Sequence, residues 1–169
     1  MNGWRVTKYH PARRDSLGRY LASDWTAISD VGRSFDGVVL TLQRYLSVEQ
    51  AYVDTAMTFH SEAGSPQLVA RDVEPDRPPG VVFPGEVPME APAEGARLTP
   101  TQAAMTIRAC LRELFWCRLE GADGGCGVHF GYDFYMYLTG LPQAPRTHAI
   151  ARERGLFVES LRSPDLAEP

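Results

Sequence analysis

The sequence predicts an α+β fold in which a mainly antiparallel sheet carries two main helices on one face, with a long proline-rich loop. Three observations predict it. Short runs of alternating apolar and polar residues recur along the chain, two longer stretches show helical periodicity, and residues 75–97 are rich in proline and glycine. With 169 residues, of which 44% are hydrophobic and 22% charged, the composition is globular. We therefore expect residues 1–169 to form a single α+β domain.

The first third of the chain predicts three short strands. Residues 4–10 alternate in character and end at Pro11, which cannot donate a hydrogen bond to a strand ladder. Two further strands are expected in residues 25–35 and 36–42. The dipeptide Asp36-Gly37 between them favours a tight turn.

A long helix is expected from Leu42 to about His60, because Gly64 and Pro66 follow it and both end helices. Residues 67–74 then read as a strand. The segment 75–97 contains too many prolines for regular structure, so it is a long surface loop or an insertion within the domain.

The second helix is expected to start at Pro100, with Thr99 as its N-cap, and to end near Gly121. A short helix ending at Gly155 and a last strand over residues 156–163 complete the order. The alternation of these elements predicts helices on one side of the sheet.

Two large side chains of the second helix, Met105 and Trp116, fall outside its apolar stripe. Either the 75–97 loop covers them, or they belong to an exposed apolar patch, which would indicate a partner.

Three cysteines are present, an odd number that is typical of a reducing compartment. On one helix, Cys110 and Cys117 would lie about 10 Å apart along the axis, which is too far for a disulfide. The spacing of Cys110, Cys117, Cys126 and His129 matches no compact zinc motif. We expect buried structural cysteines, no metal and no cofactor.

Glu49 is a carboxylate in the centre of the apolar arc of the first helix, flanked by Tyr45 and Tyr52 and with His60 on the same line. A buried carboxylate is costly unless it is paired or protonated. One interpretation makes Glu49 a ligand anchor or general base. The other makes it a structural group bonded to a tyrosine hydroxyl or to an arginine at the edge of the core.

The stretch GVHFGYDFYMYLTG, residues 127–140, alternates so that one strand face carries Val128, Phe130, Tyr132, Phe134, Met136 and Leu138. The opposite face carries His129, Asp133, Tyr135 and Tyr137. Solvated strand faces are usually rich in lysine, glutamate and threonine, whereas tyrosine is favoured at interfaces. The second face is therefore either a recognition surface or a surface covered by another part of the chain.

The sequence carries no strong catalytic motif. In one strand, His129 and Asp133 would lie roughly 13 Å apart, too far for a direct dyad. No phosphate-binding glycine loop, serine-hydrolase elbow or HExxH motif is present. An enzyme would need Glu49 to meet His60 or His129 in the fold.

A net charge of −4 argues against direct nucleic-acid binding. No stretch is apolar for the roughly 20 residues of a membrane helix, and the N-terminal MNGWRVTKYH has no apolar run. We expect a cytoplasmic protein without a membrane partner.

Four segments resemble small bacterial α+β immunity proteins of polymorphic and contact-dependent toxin systems: WTAISDVG (25–32), YLSVEQAYV (45–53), HFGYDFYMY (129–137) and GLFVESLRSP (155–164). The resemblance implies an inhibitor that binds a cognate toxin, commonly a nuclease, by direct contact. It assigns no residue roles.

Such toxins are usually basic, and acidic residues lie on or beside the loop at Asp72, Glu74, Asp76, Glu86, Glu90 and Glu94. The sequence therefore predicts a protein-binding surface that includes the 75–97 loop together with Glu49, Trp116, His129, Asp133, Tyr135 and Tyr137. Two alternatives stay open: a small hydrolase or transferase with a pocket around Glu49, and a ligand-binding domain with a pocket lined by Tyr45, Tyr52 and Trp116. The acidic run also fits a merely solvated loop.

Overall fold

A seven-stranded sheet forms the centre of the protein. The computed structural model describes residues 3–17, 19–74 and 90–160. The strand order is β5-β4-β6-β7-β8-β1-β9, and every neighbouring pair is antiparallel. The strands are β1 (Gly3–Thr7), β4 (Leu68–Glu74), β5 (Arg97–Leu98), β6 (Trp116–Gly121), β7 (Gly127–Phe130), β8 (Met136–Thr139) and β9 (Phe157–Ser160), while β2 (Ser34–Phe35) and β3 (Val38–Val39) form a separate hairpin.

Within the described residues, three α-helices pack against this sheet: α1 (Leu42–Glu62), α2 (Pro100–Leu111) and α3 (Pro145–Glu153). Thr41 caps α1 by accepting a hydrogen bond from the Arg44 N–H at 3.1 Å. A carboxylate of α1 itself caps α3, because Glu62 accepts hydrogen bonds from the backbone N–H groups of Arg146 and Thr147 at 3.0 and 2.9 Å.

The hydrophobic core lies between the helices and one face of the sheet. Alternate strand residues point into it, among them Val6, Leu119, Val128 and Leu138, each no more than 3% exposed. Because side chains alternate along a strand, the residues between them belong to the opposite face. We call that opposite face the outer face; in the register it carries Glu159, Arg5, Tyr137 and His129 side by side across four strands.

The hairpin expected at Asp36-Gly37 is present between β2 and β3. Both turn residues have positive φ, 48° and 80°, as a two-residue turn of this kind requires. The strand expected over residues 25–35 is wrong except at its end, since residues 28–30 form a 3₁₀ turn. The carboxylate of Asp30 stabilises that turn by accepting from the Thr26 N–H at 2.9 Å.

The second helix is shorter than the sequence predicts. Leu111 is its last residue, and the expected helical residues 116–121 are strand β6 instead. The helix ends in a Schellman motif, in which Leu114 N–H donates to Ala109 O and Glu113 N–H donates to Cys110 O, both at 3.0 Å. Glu113 has a φ of 58°, the left-handed conformation that glycine usually supplies at this position.

The predicted α+β class and the mainly antiparallel sheet are confirmed. The sequence missed β5 and β6 and treated β7 and β8 as one strand. The proline-rich loop lies outside the described residues over positions 75–89, and its end, 90–97, leads into β5.

Candidate binding site

The predicted strand over residues 127–140 is a hairpin, not a single strand. β7 and β8 pair antiparallel, and the chain reverses over residues 131–135, where Gly131 N–H donates to Tyr135 O at 2.8 Å. Asp133 and Phe134 take left-handed conformations with φ of 59° and 62°. The prediction that His129, Asp133, Tyr135 and Tyr137 follow one another along a single strand is therefore wrong. His129 and Tyr137 face each other across the hairpin instead, with ring centroids 4.9 Å apart and planes at 24°.

This folding back creates a cavity of about 660 Å³ on the outer face. It lies at β6, β7 and the reversing turn, next to the end of β4. Five of the six predicted site residues line it: Trp116, His129, Asp133, Tyr135 and Tyr137. The sequence missed other lining residues, chiefly Asp72, Glu74, Arg118 and Tyr132.

Aromatic rings form much of the cavity lining. Trp116 lies in β6 opposite Glu74 of β4, and not on a helix as the sequence predicted. Its ring contacts that of Tyr132, with centroids 5.6 Å apart. Tyr132 is 69% exposed although the single-strand interpretation placed it on the core face. The turn explains this difference, because residue 132 lies outside both strands.

Tyr135 is held by the chain itself. Its hydroxyl accepts a hydrogen bond from Arg14 Nη1 at 2.8 Å, and the same guanidinium lies 3.5 Å from the Glu159 carboxylate. Arg5 Nη2 donates to both oxygens of that carboxylate, each at 3.1 Å. At this end of the outer face, Arg5 and Arg14 therefore share one carboxylate, that of Glu159.

At the cavity, the charge balance is different. Arg118 pairs with Asp72 at 2.7 Å and with Glu120 at 3.2 Å. Asp72 has a φ of 50° and lies where the β4–β6 register shifts. Glu74 and Asp133 are exposed and form no ion pair with any other residue in the described ranges.

Glu49 lies on the other side of the sheet. It is fully buried, and its carboxylate accepts from Arg112 Nε at 2.6 Å, Arg112 Nη2 at 2.8 Å and Arg108 Nη1 at 3.0 Å. The structure thus shows the arrangement of the structural interpretation, with Arg108 of α2 and Arg112, the residue directly after α2, as the partners. Glu49 does not line the cavity, and it cannot meet His129 across the sheet.

The other residues proposed around Glu49 also belong to the interior. His60 binds the Pro66 carbonyl at 2.7 Å. Tyr52 donates to Phe134 O at 2.6 Å, and burial raises the pKa of its hydroxyl well above the usual range. Tyr45 is fully buried beside Glu49, and no described cavity joins these tyrosines to Trp116 on the outer face.

The cysteines are buried thiols, as expected, but their predicted separation is wrong. Because residue 117 lies in β6 and not on α2, the Sγ atoms of Cys110 and Cys117 are 3.8 Å apart. Across the part of the chain that the structure describes, no group of three or more His, Cys, Asp or Glu side chains is placed to hold a metal ion.

Of the acidic residues on or beside the loop, the structure describes Asp72, Glu74, Glu90 and Glu94. Asp76 and Glu86 lie outside the described residues. Glu94 lies 3.8 Å from Arg71, so it is partly compensated, as Asp72 is by Arg118. Among the described members of this set, Asp72 and Glu74 line the cavity.

Comparisons with protein-family models, with curated proteins and with solved structures give no match. No helix in the described residues is both long enough and apolar enough to cross a membrane.

Proposed function

We propose that this protein is an immunity-type inhibitor that binds a cognate bacterial toxin through the outer face of its sheet, in the cytoplasm. The observation that carries the proposal is the cavity itself. It gathers Trp116, His129, Asp133, Tyr135 and Tyr137 from separate elements into one concave surface.

The chemistry of this surface supports a protein partner. Aromatic side chains are enriched at the centres of protein interfaces, because they bury a large area and lose little conformational freedom. Here Tyr132 presents an exposed ring against Trp116, next to the stacked His129–Tyr137 pair. An exposed tyrosine on a supported platform is typical of an interface anchor.

Charge supports a basic partner. Three carboxylates line the cavity, those of Asp72, Glu74 and Asp133, against one lining guanidinium among the described residues, that of Arg118. The whole chain carries a net charge of −4. Complementary charge steers association and raises its rate, which suits capture of a basic toxin such as a nuclease.

The test is co-expression with the protein encoded by the adjacent gene. We expect that protein to be toxic alone, and to be neutralised in a stable 1:1 complex with this chain. Tyr132→Ala should weaken the complex at least tenfold, because it removes the exposed ring from the cavity rim.

Leu21→Ala is the matched control, since Leu21 is also 69% exposed but lies outside the cavity lining. The proposal fails if no toxin is neutralised, or if Tyr132→Ala and Leu21→Ala weaken the complex equally.

A second candidate function is that of a small-ligand domain, or of a hydrolase or transferase. The volume of the cavity, about 660 Å³, favours it because small-molecule sites commonly have volumes of roughly 300–1,000 Å³. His129 and the tyrosines would then contact the ligand, and Glu49 would have no part in binding. A metabolite that raises the melting temperature of the wild type but not of Tyr137→Phe would support this candidate over the inhibitor.

A further inference from the structure

The cavity on the outer face combines uncompensated carboxylates with aromatic rings. Glu74 and Asp133 lie at its lining without an ion pair to any residue in the ranges 3–17, 19–74 and 90–160. Arg118 brings a positive charge, but Asp72 and Glu120 already bind its guanidinium at 2.7 and 3.2 Å. The electrostatic field in the cavity therefore favours a cation.

The aromatic lining favours the same kind of group. Trp116 and Tyr132 stand 5.6 Å apart, and the faces of tryptophan and tyrosine rings attract cations within about 6 Å. A guanidinium is planar, weakly hydrated and able to stack on such rings while it donates to carboxylates in its own plane. An ammonium group is compact and strongly hydrated, so it gains less from this combination.

We propose that the cavity receives an arginine side chain of the partner protein. This inference rests on the proposed function and deepens it, since it names the group that the partner inserts. The volume of about 660 Å³ is sufficient for an arginine together with the main chain on either side of it. Glu74 and Asp133 bind the guanidinium, and Trp116 and Tyr132 stack on it.

The experiment uses three short blocked peptides as probes: acetyl-Gly-Arg-Gly-amide and the same peptide with lysine or with citrulline in place of arginine. Citrulline keeps the shape of arginine and removes its charge. Binding is followed by amide chemical shifts of the full-length protein and by tryptophan fluorescence. We expect saturable arginine binding, about tenfold weaker binding of citrulline, and intermediate binding of lysine.

The double substitution Glu74→Gln with Asp133→Asn should weaken arginine binding about tenfold, because it removes both uncompensated carboxylates. Asparagine tolerates the positive φ of residue 133, so the turn is preserved. The control is Glu153→Gln with Asp36→Asn, which removes the same charge at exposed positions on α3 and in the β2–β3 turn. It should leave binding within twofold.

The arginine proposal is overturned if citrulline binds as well as arginine, if the control pair weakens binding as much as the cavity pair, or if inorganic phosphate shifts the same amides more strongly than the arginine peptide does. The toxin complex separates this failure from that of the proposed function. If the toxin complex depends on Tyr132 but is unchanged by the Glu74 and Asp133 substitutions, the inhibitor function is supported and the arginine proposal is refuted. Selective arginine binding without any toxin complex leaves the cation site standing without the inhibitor function.

Discussion

Replacing Glu49 by glutamine should destabilise the protein strongly and leave the outer face intact. Glu49 is 0% exposed, and three hydrogen bonds from Arg112 and Arg108 reach its carboxylate. Glu49→Gln removes the negative charge and keeps the volume. The Arg112 guanidinium, whose side chain is 8% exposed, then stays buried without its counter-ion.

The expected cost follows from the two arginines. Removing one partner of a buried ion pair costs about 3–5 kcal/mol, because the remaining charge is desolvated without compensation. Arg108 is 25% exposed and can turn towards solvent, and glutamine retains one acceptor oxygen. We therefore expect the free energy of unfolding to fall by about 3 kcal/mol, near the lower end of that range. A domain of this kind has a free energy of unfolding of roughly 5–15 kcal/mol.

Urea unfolding followed by far-UV circular dichroism at pH 7 measures this loss. Asp54→Asn is the control on the same helix, since Asp54 pairs at 3.1 Å with Arg154, which is 50% exposed. That substitution should cost less than about 1 kcal/mol. Folded Glu49→Gln protein should bind its partner or the arginine peptide within twofold of the wild type, because Glu49 lies on the core side of the sheet.

A different pair of results would refute this reasoning. If Glu49→Gln lost less than about 1 kcal/mol of stability but abolished binding, the carboxylate would be a functional group and its pairing with Arg112 incidental. The assignment of binding to the outer face would then have to be abandoned.

Two further predictions concern Phe134 and Lys8. Phe134 is 4% exposed, packs edge-on against Trp25 at 5.0 Å and has a φ of 62°. Phe134→Ala should lower the free energy of unfolding in urea by about 3–5 kcal/mol. Phe134→Gly should lower it by about 1 kcal/mol less, because glycine alone adopts this φ without strain. A larger loss of stability for the glycine variant than for the alanine variant would contradict this. Burial lowers the pKa of Lys8 to about 8 although Asp24 lies 2.9 Å away. Between pH 8 and 10.5 the unfolded chain holds this proton while the folded protein releases it, so stability relative to Lys8→Met should rise with pH in that window. Urea unfolding of the wild type and of Lys8→Met at several pH values measures the difference between their free energies of unfolding, in which the contributions of the buried tyrosines and cysteines cancel. If this difference stays constant or falls as the pH rises, Lys8 stays charged in the folded protein.

Elements with strong local signals could be predicted from the sequence. The α1 helix has an apolar arc over several turns and stop signals in Gly64 and Pro66, and the structure has it at Leu42–Glu62. The Asp36-Gly37 turn was predictable for the same reason, since few dipeptides adopt its two positive φ values. In both cases, the physical cause of the structure lies within a few residues of the chain.

The β7–β8 hairpin could not be predicted by alternation. The turn 131–135 has an odd number of residues, so the alternation of faces continues in phase from His129 to Tyr137. A single strand and this hairpin therefore give the same pattern of apolar and polar residues. The reversal itself requires positive φ at Asp133 and Phe134. Phenylalanine rarely adopts positive φ, so its presence in the sequence does not predict a turn.

The end of α2 was obscured in a similar way. Its left-handed residue is Glu113, so the glycine that usually marks a helix end is absent. Cys110 and Cys117 remain seven residues apart, which continues the helical spacing into what is strand β6. Five of the six predicted site residues still line one cavity, even where the predicted element was wrong.

The two ends of the outer face differ in charge pairing, and this difference supports the cavity end as the proposed site of contact with a partner. At the β1 and β9 end, the Glu159 carboxylate already pairs with both Arg5 and Arg14 within the chain. At the β4 and β6 end, Glu74 and Asp133 have no such partner among the described residues. Charges that are already paired gain little from a second protein, whereas a carboxylate without an ion pair beside the exposed Tyr132 ring gains a counter-ion there. We therefore expect the proposed basic partner to bind at the cavity end of the sheet.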